Sequence, residues 1–143
     1  MNYAKILKKV FYSMIGIFVL ILCFFVVPFS DTLRRTLFPY AGLLGLAFLI
    51  LGIMLIVFTI KAKVKGKLKV FLILVGGSAG MVLVSVLLHN LVYALAIVSE
   101  NIVWLSWLFE FLHGTFFIIG LLVCPIVFIV GVVGSIVMFC KKN

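Results

Sequence analysis

Ser85, His89 and Tyr93 recur every four residues, so on a helix they share one face, with Asn90 beside them. An imidazole, a phenol and an amide aligned in this way can hold a polar ligand or pass a proton. An ionisable residue inside an apolar run is a functional candidate from the outset. Glu110 and His113 stand at i, i+3, and Glu100 lies between the two groups. His89, Asn90, Tyr93, Glu100, Glu110 and His113 therefore form a candidate polar cluster suited to a headgroup, a small polar ligand or a partner subunit.

Metal and acid–base chemistry would draw on the same residues. One E-x-x-H is half of the pairing used by di-iron helical bundles, which need a second copy and further glutamates. Two histidines with two glutamates could in principle ligate one zinc. Ser85 with His89 lacks a third group to orient the base, and neither G-x-S-x-G nor H-E-x-x-H occurs. No catalytic residue, metal or cofactor is assigned, and a non-enzymatic role is favoured. The cysteines Cys23, Cys124 and Cys140 form no C-x-x-C pair, and the first two fall in apolar runs, where a thiol is a small apolar filler.

The elements carrying these residues are set by composition. Apolar residues make up 67% of the 143 and charged residues 10%. A water-soluble domain has about 25% charged residues, so here the solvent for most side chains is lipid. The net charge of +9 would suggest nucleic acid in a soluble protein. With no globular basic face to present, nucleic-acid binding is excluded. Four apolar runs predict membrane-spanning helices over 10–27, 37–60, 70–98 and 115–139, within a single transmembrane domain covering 1–143. Continuous runs of this length fit helices and not barrel strands, because backbone groups in lipid must pair within their own segment. The first run is longer than a signal-peptide core and lacks a small-x-small cleavage site, so it reads as a retained helix. Pro39 falls in the first turn of the second helix, where its missing N–H costs least. Pro125 frees the carbonyl of Leu121 and predicts a kink in the fourth.

Between the third and fourth runs, Ser106, Glu110 and His113 fall on one side of an aromatic segment with Trp104 and Trp107 nearby. That pattern predicts a short interfacial helix over 100–112, with the first turns of a longer fourth helix as the alternative. Every lysine lies beside or between runs on one side: Lys5, Lys8 and Lys9 before the first, Lys61, Lys63, Lys65, Lys67 and Lys69 between the second and third, Lys141 and Lys142 at the end. The other side holds Arg34, Arg35 and all three acids, Asp31, Glu100 and Glu110. The positive-inside rule then places both termini in the cytoplasm. The expected fold is an all-α four-helix transmembrane bundle, N-in/C-in, with the interfacial helix on the outer side. On this reading His89 sits near the outer boundary and not at the midplane.

Small residues four apart, Gly76 with Gly80, Ala41 with Gly45 and Gly131 with Ser135, offer grooves for close helix approach, first of all within the bundle. The lysines at 61, 63, 65, 67 and 69 fix topology and can attract anionic lipid at ~1 kcal/mol each. The other three helices contain no charged residue or histidine in their spans, which disfavours a proton-coupled transporter. The favoured function is a small polytopic protein acting through helix–helix contacts, an accessory or protective subunit of a prokaryotic plasma membrane. Its partners would be the bilayer, anionic lipid, and a larger membrane protein or further copies of itself. The alternative is a homo-oligomeric transporter or channel with the third helix lining the path. A weaker alternative is a metal-binding membrane enzyme using His89, Glu110 and His113.

Overall fold

A computed structural model describes residues 3–141. Five α-helices follow in order: α1 (Tyr3–Val26), α2 (Asp31–Lys61), α3 (Gly66–Val98), α4 (Val103–Ile118) and α5 (Cys124–Cys140). A π-helical turn, Ile119–Val123, joins α4 to α5. Those two helices and the turn make one unbroken span of 38 residues, so among the described residues four helices are long and apolar enough to cross a membrane. This is the build of a multi-pass integral membrane protein. Lys142, which the charge count groups with the basic end, lies outside the described residues.

The segment 100–112 does not stand apart as an interfacial helix. After a turn at Ser99–Ile102, the chain enters α4 at Val103 and continues without a break. Nothing in the sequence stops it, because Gly114 is a lone helix-interior glycine and the next proline is Pro125. At about 1.5 Å per residue the span measures roughly 57 Å, against ~30 Å of hydrocarbon. The span is therefore longer than one perpendicular crossing of that layer requires.

Pro125 acts through the turn that precedes it. Proline has no N–H for the carbonyl four residues back, and no water is at hand in lipid to replace it. The helix answers by widening over Ile119–Val123, where the Cys124 N–H donates to Ile119 O, five residues back. The helix continues on the far side of the proline.

The α2–α3 connection is short because α2 ends in a Schellman motif. The Val64 N–H donates to Thr59 O at 3.2 Å and the Lys63 N–H to Ile60 O at 3.0 Å. This motif needs a left-handed residue at its turning point, and Lys63 holds that position at φ 51°. For a residue with a Cβ, that conformation costs about 1 kcal/mol relative to glycine.

The core runs from Leu7 to Phe18 along α1, Phe48 to Leu55 along α2 and Leu68 to Ala79 along α3, with Phe128 from α5. α3 packs against α2, α4 and α5, and α1 against α2. Phe11 meets Phe139 edge-on at 5.6 Å, which ties α1 to α5. Phe18, Phe48 and Phe128 close the far end of this core, with ring separations of 4.4, 5.2 and 6.1 Å.

Glycines set the closest approaches. A Cβ on Gly76 would come within 2.6 Å of Gly52 O, and one on Gly52 within 2.7 Å of Gly76 O. α2 and α3 therefore touch backbone to backbone. Gly131 lies against Phe71 and Val75 of α3, and Gly134 against the Phe71 ring. Gly80 meets only Leu49, at ordinary distance, while Gly42 and Gly45 face open space. Of the three grooves read from sequence, the one at Gly76 is closed inside the bundle through Gly52. Gly131 closes another together with Gly134, with Ser135 buried alongside. The Ala41–Gly45 groove is open.

Candidate functional site: a polar cleft between α3 and α4

Where α3 ends and α4 begins, the two helices diverge around a cleft of about 400 Å³. It is lined by Tyr93, Ala96, Ile97 and Glu100 from the α3 side and by Ser106, Glu110 and His113 from α4. The helical repeat accounts for this set. Tyr93, Ala96, Ile97 and Glu100 follow at i, i+3, i+4, i+7 on one face, as do Ser106, Glu110 and His113 at i, i+4, i+7. The short turn at Ser99–Ile102 brings the two faces together. Within it the Ser99 Oγ–H donates to Leu95 O at 2.7 Å, so this buried hydroxyl is satisfied by its own helix.

The floor of the site is a stack of rings. His89 and His113 lie nearly parallel with centroids 4.2 Å apart. Phe117 approaches His89 at 5.4 Å and Tyr93 approaches His113 at 5.2 Å. Nδ1 of His89 lies 3.1 Å from His113 O, so with the proton on Nδ1 the ring donates across the helix pair. Both histidines are half-buried, while Tyr93, Glu100 and Glu110 are exposed. The cleft thus presents two carboxylates, a phenol and an imidazole to the space at the helix ends. Trp104 and Trp107 stand fully outward beside it, where their amphipathic rings suit a headgroup layer.

Of the candidate cluster, Tyr93, Glu100, Glu110 and His113 line the cleft, and His89 supports it from below. Asn90 is not part of it: its amide donates to Val86 O of its own helix at 2.8 Å. Ser106 and Phe117 join the site. Ser106 shares its face with Glu110 and His113, and Phe117 continues that face four residues after His113, a signal present in the sequence for both. Among the described residues no three His, Cys, Asp or Glu side chains gather closely enough to hold a metal ion. Hydrogen-bond acceptors and one imidazole suit a cationic or hydroxyl-bearing group.

Ser85 belongs to the same face but lies deeper. It is buried against Gly120 in the π-helical turn, and its hydroxyl has no partner. The lysines at 61, 63, 65, 67 and 69 are all exposed at the opposite end of the bundle. There the start of α1, the α2–α3 turn and the end of α5 meet. No protein-family model, curated protein or solved structure matches this chain.

Proposed function

We propose that the protein is an accessory subunit of a prokaryotic cytoplasmic membrane, docking a transmembrane helix of a larger membrane protein against the open half of α1 and α2. Its lysine end faces the cytoplasm, and the α3–α4 cleft meets polar groups of the same partner outside.

One observation carries this reading. From Val19 to Ala47 not one residue is buried, although the stretch includes two helical turns of α1 and more than four of α2. A helix inside a bundle buries residues at every turn, whereas this half of α2 is at most half-buried, along Leu37, Ala41, Leu44 and Gly45. It does have Ala41, Gly42 and Gly45, with nothing within 4 Å of a Cβ placed on either glycine. In lipid, small residues are what allow a second helix to approach closely.

A transporter with α3 lining a path draws less support. Gly76 of α3 is closed against α2, Val75 and Phe71 pack against α5 glycines, and the three phenylalanine rings seal the core.

The test is native mass spectrometry of the gently solubilised protein, wild type beside Gly45→Leu. The expected outcome is a stoichiometric second protein on the wild type that is lost from Gly45→Leu, with an unchanged unfolding midpoint for the chain itself. A homo-oligomer dissociated by Gly80→Leu but not by Gly45→Leu would replace this reading with the transporter one. A bare monomer under every mild condition would refute it.

A further inference from the structure

We propose that the lysine end carries a built site for one anionic phospholipid, its phosphate held by Lys8, Lys63, Lys65 and Lys141 and its glycerol and upper acyl carbons laid on an apolar wall. This inference is independent of the docking role of α2.

The site is a cleft of about 830 Å³ where three separate segments meet. Lys8 comes from α1, Lys63 and Lys65 from the α2–α3 turn, and Lys141 from the end of α5. No acidic residue lines it, and no acid is found in the sequence at this end of the bundle. Leu7, Val64, Leu68, Met138 and Phe139 supply the apolar wall. A cleft that joins cations to hydrocarbon at the depth where helices leave the bilayer matches an amphiphile with a phosphate at one end. A free phosphate would use only half of it.

Two of the four lysines, Lys8 and Lys63, are placed by local structure. Lys8 Nζ rests 5.4 Å from the centre of the Phe139 ring, which holds its stem across the α1–α5 seam. Lys63 occupies the left-handed position of the Schellman motif, which glycine would fill without strain. A strained residue kept where an unstrained one would serve the backbone better points to a use for its side chain. Glycine follows only three residues later, at Gly66, itself at φ 68°. Lys61, Lys67 and Lys69, close in sequence, do not line the cleft. The sequence-based set for anionic lipid is thus narrowed to Lys63 and Lys65 and extended to Lys8 and Lys141.

The experiment is native mass spectrometry of the full chain released from nanodiscs of equimolar dioleoyl phosphatidylglycerol and phosphatidylcholine. One phosphatidylglycerol should remain per chain after phosphatidylcholine is stripped. Lys63→Gly should fold at least as stably as wild type and retain the lipid roughly fivefold less, the effect of one lysine at a membrane surface. Lys8→Ala with Lys65→Ala should lower retention about 25-fold on the same basis, while Lys67→Ala with Lys69→Ala leaves it within about twofold. Equal losses from the two double variants would reduce the effect to diffuse surface charge and overturn the site. Equal retention of phosphatidylcholine would also overturn it. So would glycerol 3-phosphate displacing the lipid at matched concentration, which would make the ligand a soluble phosphate.

Discussion

At the lysine end α1 buries Leu7, Val10, Phe11, Met14 and Phe18, and α2 buries Phe48, Gly52, Leu55 and Thr59. At the other end the same two helices fully bury nothing between 19 and 47, while α3 still buries Val92 and Ala96, followed by Ser99 in the turn. Both ends are built of similarly apolar residues. In water, such a difference in burial would follow hydrophobicity, but lipid is as apolar as a leucine side chain and gives no such direction. Burial here follows shape. Gly52 against Gly76, and Gly131 and Gly134 against Phe71 and Val75, bring backbones together, and the rings of Phe11, Phe18, Phe48 and Phe128 fill what remains. In the packed half the Thr59 hydroxyl donates to Leu55 O at 2.7 Å and the Ser78 hydroxyl to Val75 O at 3.0 Å. In the other half Asn90 and Ser99 likewise bond their own helix, while Tyr93, Glu100 and Glu110 line the α3–α4 cleft.

The largest expected effect comes from filling a glycine contact in one half and an open glycine in the other. A Cβ on Gly131 would already lie 2.8 Å from Val75 Cγ2 and 3.0 Å from Phe71 O. Gly131→Leu should therefore cost about 3 kcal/mol or more by overpacking and deplete the folded protein. Gly45→Leu should leave the unfolding midpoint of the isolated chain within about 0.5 kcal/mol of wild type. Unfolding in mild detergent, followed by Trp104 and Trp107 fluorescence, checks both. Similar losses from the two variants would break the comparison.

Removing volume tests it from the other direction. Phe128→Ala deletes a ring that touches Phe18 and Phe48. The cost should be roughly 2 kcal/mol, below the range for water-soluble cores, because only lost packing and not transfer from water enters. Leu43→Ala in the open half should stay within about 0.5 kcal/mol.

A smaller effect is expected within the cleft. His113→Ala removes the stacking partner of His89 and Tyr93 and should cost about 1 kcal/mol. It should also shift the His89 ring resonances in an NMR spectrum, while the carbonyl of residue 113 still accepts from His89. Unmoved resonances would mean that the two rings do not stack in the membrane. The smallest effect belongs to Asn90→Ala, within about 0.5 kcal/mol, since its amide serves only its own helix.

Much of the fold is legible in the residues themselves. The apolar runs between the lysine groups locate four spans, because a membrane permits only segments that satisfy their own backbone groups. The helices exceed those runs at their ends, α1 by including Tyr3 and Lys5 and α2 by including Asp31 and Arg34. Helix geometry continues past the edge of hydrocarbon, where hydropathy falls silent. The unbroken helix from Val103 is the alternative that the sequence leaves open beside an interfacial helix, as no helix-stopping residue follows Val103 before Pro125. Aromatic and polar patterning favours the interfacial reading, and only the structure decides between them. The π-helical turn at Ile119–Val123 follows from Pro125, yet a kink and a widened turn relieve the same missing donor and are told apart only in three dimensions.

The sequence alone determined the membrane as solvent, the four spans, the gathering of all acids and both histidines away from the lysines, and the helical faces bearing Tyr93 and Glu110. Composition and periodicity act along one chain, and these properties need nothing more. Tertiary structure alone decided which small residues meet a neighbour, closing Gly76 and Gly131 and leaving Gly45 open. It turned Asn90 away from the cleft and seated His113 over His89. It also joined Lys8 and Lys141 to Lys63 and Lys65. The physical reason is common to all of these. Where every face of a helix is apolar, the faces differ only in shape, and shape acquires meaning only against a second helix.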